Sequence, residues 1–195
     1  SASMNPSPPP ATRNNILAYY HQIESPLSGS TMPDLGPHGN DGTLQANSTI
    51  TASTSYLEWG QAFGAIDTGI SFQDIFNSNG TGEYTMAAKF QYAGGDNDTY
   101  RAIFGGWEDS GAGTQFVIGK GNDDPELAIQ DGNYEGAYIA SPGVFDATGR
   151  QSSHTIVVTR SGTQGSYVIR THIDGVYEQQ MNFTGVNHTE RILIG

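Results

Sequence analysis

Residues His154 to Asn182, HTIVVTRSGTQGSYVIRTHIDGVYEQQMN, restrict the possible folds more than any other stretch. Thr155–Arg160 is rich in β-branched residues, which suit a pleated, half-buried surface. Ser161–Gly165 reads as a Gly/Ser/Thr turn. From Tyr167 onward the side chains alternate. Tyr167, Ile169, Thr171 and Ile173 share one face, and Val168, Arg170 and His172 share the other. Asp174-Gly175 falls between Ile173 and Val176, where a two-residue hairpin needs residues that tolerate positive φ. Val176–Asn182 is the return strand. Three strands with one apolar face do not stand alone in water, so this meander must pack on a second sheet.

The rest of the chain repeats the pattern. Strands are expected near Ile16–Tyr20, Tyr56–Trp59, Ala62–Ile66, Tyr84–Gln91, Arg101–Trp107, Thr114–Gly119, Glu126–Gln130 and Ala137–Ala140, with a short helical turn at Phe72–Phe76. About ten residues per strand and turn fits an all-β fold, a two-sheet antiparallel β-sandwich or a barrel. Gly is abundant (26 residues), and no dozen-residue stretch has a clean helical period, which agrees. In Pro33–Leu44, PDLGPHGNDGTL, Asp and Asn side chains are expected to bond their own backbone and lock a long turn. Ser1–Asn15 reads as an extended tail, with Pro8-Pro9-Pro10 favouring a polyproline conformation. Residues 16–195 are expected to form a single domain.

Charge and composition narrow the partners. The net charge is -12, from 8 basic and 20 acidic residues. The Lys and Arg are scattered singly, whereas phosphate backbones and anionic membranes need them clustered, so nucleic acid is not an expected partner. An acidic chain suits divalent cations or neutral partners such as sugars, and simple solvation of the surface gives the same excess. The absence of cysteine removes disulfides, thiolate zinc sites and cysteine nucleophiles. No apolar run approaches the ~20 residues that span a bilayer, so no membrane insertion is expected. Nothing reads as a signal peptide, as in a mature or excised segment.

Several segments, taken in order, carry a family resemblance. Asp34–Leu44 resembles an early "D-x-S-G-N-G-N-x-G-T" turn, and Ala62–Ile66 a strand bearing "F-D-G". Gly82–Phe90 is similar to "F-T-I-S-A-W-V", and Ile103–Gly106 with Phe116–Gly119 to an "I-L-S-x-G…F-x-L" pair. His154–Arg160 resembles "H-V-A-V-T-R", Ile173–Gly175 "V-D-G", and Ile192–Gly195 "I-G-G". Together they resemble the laminin-G-like, concanavalin A-like jelly-roll family, in its bacterial and viral branch. The resemblance implies a jelly-roll sandwich over 16–195, and this fold hosts sugar binding, adhesion, enzymes and spacers alike. Two departures stand out. The family's aromatic near Gln151–Ser153 is replaced by small polar residues. Its last strand follows "I-G-G", where this chain reaches Gly195. The expectation is a sheet completed by a longer polypeptide or by a neighbouring chain, with strand Ile16–Tyr20 exposing the edge.

Catalysis finds little support. A retaining glycosidase needs two carboxyls ~5–5.5 Å apart, and no strand carries the E-x-D-x-E pattern of this fold's glucanases. Asp96-Asn97-Asp98 lies in a Gly/Asn-rich loop, and Asp123 and Asp124 would point apart on a strand. The five His residues are isolated and read as surface or structural residues. The resemblance implies one rim calcium ion, held near Glu108 and Asp109, with Asp96 and Asp98 as further candidates; solvated loop acids are the alternative. For sugar, an aromatic face stacks on a pyranose. Trp107 is the first candidate, with Tyr100, Tyr134 and Tyr138; Trp107 equally suits closing the end of the core. Asn47, Asn79, Asn97, Asn182 and Asn187 each begin a glycosylation sequon, meaningful only in a eukaryotic host.

The combined expectation is a non-catalytic extracellular, cell-surface or virion-surface module that binds glycan or another surface ligand, with calcium. Alternatives are an assembly or adhesion block that joins neighbouring domains or chains, and a glycan-cleaving enzyme.

Overall fold

The computed structural model describes residues 16–46, 50–59, 65–91, 101–106, 115–121, 124–130, 136–139, 153–183 and 191–195. The chain divides into two compact units, Ser1–Gly69 and Ile70–Gly195.

In the first unit, β1 (Thr31–Met32), β2 (Gly42–Leu44) and β5 (Ile66–Ser71, which ends just past the unit's boundary) lie side by side, antiparallel. β3 (Ile50–Ala52) and β4 (Leu57–Trp59) form a separate ribbon. The expected turn locked by side chains is present. Asp34 Oδ1 accepts from the backbone N–H groups of Tyr19 and Gly36, both at 2.7 Å, and Oδ2 from Asn40 N–H at 2.9 Å. Asp41 Oδ1 accepts from Asp34 N–H at 2.8 Å. This turn also corrects one expectation: Ile16–Tyr20 is not a strand. Asn40 Nδ2 donates to Leu17 C=O at 2.6 Å and Leu35 N–H to Tyr19 C=O at 2.7 Å, so the segment's backbone is bonded by the turn instead of a ladder. The strand expected at Ala62–Ile66 begins at Ile66; residues 60–64 are outside the described set.

The second unit is a two-sheet antiparallel sandwich. It opens with α1 (Phe72–Asn79), longer than the expected helical turn. Its start is a capping box: Ser71 Oγ accepts from Asp74 N–H at 3.1 Å, and Asp74 Oδ2 accepts from Ser71 N–H at 2.8 Å. Those bonds from Ser71 hold the Asp74 carboxyl below its ordinary pKa. Gly80, left-handed at φ 74°, ends the helix. Then come β6 (Tyr84–Phe90), β7 (Arg101–Gly105), β8 (Gln115–Gly121), β9 (Asp124–Gln130), β10 (Gly136–Ile139), β11 (His154–Thr163), β12 (Ser166–Ile173), β13 (Val176–Phe183) and β14 (Arg191–Ile194). One layer runs β14, β7, β8, β9, β10 and the other β13, β12, β11, β6. The meander that the sequence singled out supplies three of the second layer's four strands, β13, β12 and β11.

Between the layers lies one apolar core. Phe104 of β7 meets Ile156 and Val158 of β11 and Tyr167, Ile169 and Ile173 of β12. Each such buried side chain contributes roughly 1.5–3 kcal/mol relative to exposure. The expected inward set of β12 is the buried one, Thr171 included. The hairpins are tighter than composition suggested. β11 continues through Thr163, which pairs with Ser166, so the turn is only Gln164-Gly165. Gly162, read as part of a turn, is in the ladder at φ 107°; a Cβ there would sit 2.5 Å from Ser166 C=O, so no side chain fits. At the other end Asp174 (φ 50°) and Gly175 (φ 82°) both take positive φ, as a type I′ turn requires. Asp174 Oδ1 accepts from Thr155 N–H at 2.9 Å and Oδ2 from His154 Nδ1 at 2.6 Å, which ties the turn to the start of β11.

Arg160 lies on the core face of β11 and is 2% exposed. Its guanidinium stands 4.2 Å from the Tyr167 ring centroid, 4.6 Å from Tyr84 and 5.4 Å from Phe72. Nε and Nη2 donate to Gly82 C=O at 2.8 and 2.6 Å. Burial pushes the Tyr84 hydroxyl up to about 12, so the ring stays neutral beside the cation. Tyr167 Oη donates to Thr81 C=O at 2.7 Å. Arginine and tyrosine thereby bind the turn after α1 to the sheet.

Three outcomes follow from these contacts. Arg160→Ala removes two charge-assisted hydrogen bonds and three ring faces, and is expected to lower stability by about 3 kcal/mol or more, read as a lower urea midpoint at unchanged slope. Gly162→Ala should destabilise as well, by about 1–3 kcal/mol, through its clash with Ser166; a neutral result in the same melt would contradict the geometry. The Asp174 carboxyl, held below its ordinary 3.8 by the Thr155 N–H and His154 bonds, contributes stability at neutral pH that disappears as pH falls through its depressed folded value. Asp174→Asn keeps the turn but should flatten that acid limb; matching urea midpoints measured from pH 5 to pH 2 in the two proteins would contradict it.

Candidate functional site

Alternation that sends Ile156, Val158 and Arg160 inward sends Thr155, Val157, Thr159 and Ser161 to the opposite face of the four-stranded layer. Cross-strand register then builds rows on that outer face. Ala87, Val157, His172 and Tyr177 form one row, and Thr85, Thr159, Arg170 and Gln180 the next. Lys89 opposite Thr155 lies beyond the first row, and Val168 opposite Ser161 and Asn182 beyond the second.

Tyr177 reaches this face because β13 slips in register between the partners of Thr171 and His172. Thr171 pairs with Gln179 and His172 with Tyr177, so Glu178 is the extra residue. Strict alternation from Gln180 would have placed Tyr177 on the core side; the bulge turns it outward. It is 53% exposed, and its ring stands 5.6 Å from His172 in an edge-on pair at 67°.

Two side chains of the second row are held by hydrogen bonds. Arg170 Nε donates to Gln180 Oε1 at 3.1 Å and Nη1 to Ser161 Oγ at 3.3 Å. A shallow groove of ≈ 400 Å³ runs beside them, lined by Glu83, Tyr84, Thr85, Thr159, Arg160 and Ser161. Glu83 at its end is anchored, since Oε1 accepts from Gly162 N–H at 2.9 Å. The face thus presents one exposed aromatic ring, three hydroxyls, an amide and an oriented guanidinium. Such a set can stack on an apolar face and hydrogen-bond a hydroxyl-rich ligand.

Trp107, Tyr100, Tyr134, Glu108, Asp109, Asp96 and Asp98 all lie outside the described residues. Tyr138 is on β10, opposite Ala128. Of the sequon asparagines, Asn47, Asn97 and Asn187 lie outside the described set. Asn79 closes the turn after α1: Oδ1 accepts from Thr81 and Gly82 N–H, and Nδ2 donates to Glu83 C=O at 2.7 Å. Asn182 is exposed on β13, opposite Val168. Among the described residues, no three of His, Asp and Glu gather as a cation site. Arg170 and His172 were assigned to the non-core face of their strand by alternation alone. Tyr177 and Gln180 carried no such signal, because a bulge leaves no mark in the residue pattern.

No family model matches the chain, and no curated protein matches it. Among solved structures it is similar to the binding domain of botulinum neurotoxin DC, described in complex with rat synaptotagmin II, with a TM-score of 0.58 and 10% identity. The likeness covers 93% of this chain and 44% of that one, so this chain spans less than half of its structural neighbour. At that identity the similarity is one of fold, and the fold is an all-β antiparallel sandwich.

Proposed function

We propose that the chain is a non-catalytic recognition module that binds a glycan or another surface ligand through the outer face of its four-stranded layer. The observation that carries the reading is Tyr177, an exposed ring turned outward by a bulge beside immobilised hydroxyl, amide and guanidinium groups. An aromatic plane with a few fixed polar groups is the chemistry that recognises a pyranose. The reading takes the sandwich as laminin-G-like and concanavalin A-like, and sets it outside the cell or on a virion surface as part of a larger assembly. Calcium belongs to the same proposal, at the rim near Glu108 and Asp109. The structural neighbour, a toxin's binding domain, supports a binding role in kind and names no ligand for this chain.

A glycan array probed with the full chain, with and without chelator, tests this. The expected result is a defined set of hits that Tyr177→Ala weakens about tenfold, near 1.4 kcal/mol. Loss of those hits in chelator would support the calcium site. No hits, or hits that Tyr177→Ala leaves unchanged, would remove the proposal, and a loss with Trp107→Ala alone would move the site off this face.

A further inference from the structure

Arg170 differs from the other groups on the outer face in what it lacks. Its two hydrogen-bond partners, Gln180 and Ser161, are both neutral. Among the described residues it forms no ion pair, in a chain whose net charge is -12. The guanidinium is planar, with five N–H donors in a fixed fork. Two of them anchor it to the sheet, and three remain for a ligand, the second N–H of Nη1 and both of Nη2. A cation of fixed orientation with unspent donors is matched by a planar, bidentate anion.

The surrounding charges point the same way. Lys89 is exposed on the same face, and His172 lies between its row and that of Arg170. Among the described residues the acids near the face are Glu83, anchored by Gly162 N–H at the groove's end, Glu178 at the bulge, and Asp174, already bonded to Thr155 N–H and His154. Two of the chain's eight basic side chains therefore share one sheet face. His172 and Arg170 are two residues apart on β12, hence roughly 7 Å along the strand. A sugar ring against Tyr177 and His172 would bring an exocyclic substituent to the fork of Arg170.

We infer that Arg170 reads a carboxylate carried by the sugar, so that this face selects acidic saccharides over neutral ones. The inference rests on the proposed glycan-binding role and narrows it. It concerns binding only and requires no covalent step.

Amide chemical shifts of the full chain, titrated with methyl glucuronide, methyl glucoside and methyl glucoside 6-sulfate, provide the test. The expected result is saturable shifts at Thr159, Ser161 and Arg170 with the glucuronide, at least tenfold weaker with the glucoside. Arg170→Gln should lose the glucuronide preference, while Lys89→Gln, a change of equal charge away from the fork, should keep most of it. Unchanged urea midpoints in both variants would show that folding is not the cause. Equal affinity for glucuronide and glucoside would overturn the inference and leave glycan binding standing. Equal losses in the two variants would also overturn it, because diffuse attraction would then explain the binding. A preference for the sulfate would overturn the choice of carboxylate. Absence of any shift, together with an empty glycan array, would remove both readings.

Discussion

A cation buried in the sandwich core sets the terms for the second unit. Arg160 is charged at any pH the protein meets, so burying it is costly unless the surroundings replace water. They do so with three aromatic faces and a backbone carbonyl that accepts two hydrogen bonds. Because the partners come from α1, the turn after it, β6 and β12, the arrangement joins elements that are far apart in sequence. It also pins register. A slip of one residue in β11 would expose Arg160 and bury Thr159 without any of these partners.

The outer face inherits that register. With Arg160 inward, Thr159 and Ser161 must point outward, and Ser161 is then in reach of Arg170. The bulge in β13 adds Tyr177 to the same surface. The candidate site is therefore a consequence of core packing on the reverse side of the same strands. That is how a rigid sheet can hold polar groups in fixed positions without a dedicated loop.

In the first unit short acidic side chains play the organising part. Asp34 and Asp41 accept backbone N–H groups from Tyr19, Asp34, Gly36 and Asn40, and the strands around them are only two or three residues long. Burial raises the Tyr20 hydroxyl pKa, and Asp34, Asp41 and Asp67 raise it further. Tyr20 therefore stays protonated and donates to Asn40 C=O at 2.6 Å. Here the negative charge of the chain has a structural use, distinct from solvation.

Local chemistry was enough to read the strands of the meander, the Asp174-Gly175 turn, the inward set on β12 and the locked Asp34 turn. Each depends on residues next to one another: side chains alternate with period two, and positive φ requires particular residues. Ile16–Tyr20 looked like a strand because its apolar run suits one, but its backbone groups were taken by side chains some twenty residues away. Gly162 looked like a turn because glycine usually marks one, whereas it is there to let Ser166 approach. The place of Arg160 in the core, the outward turn of Tyr177 and the pairing of Arg170 with Gln180 depend on register between strands. Register is settled by packing across the whole sandwich, and so the candidate face emerged only when the strands were set beside each other.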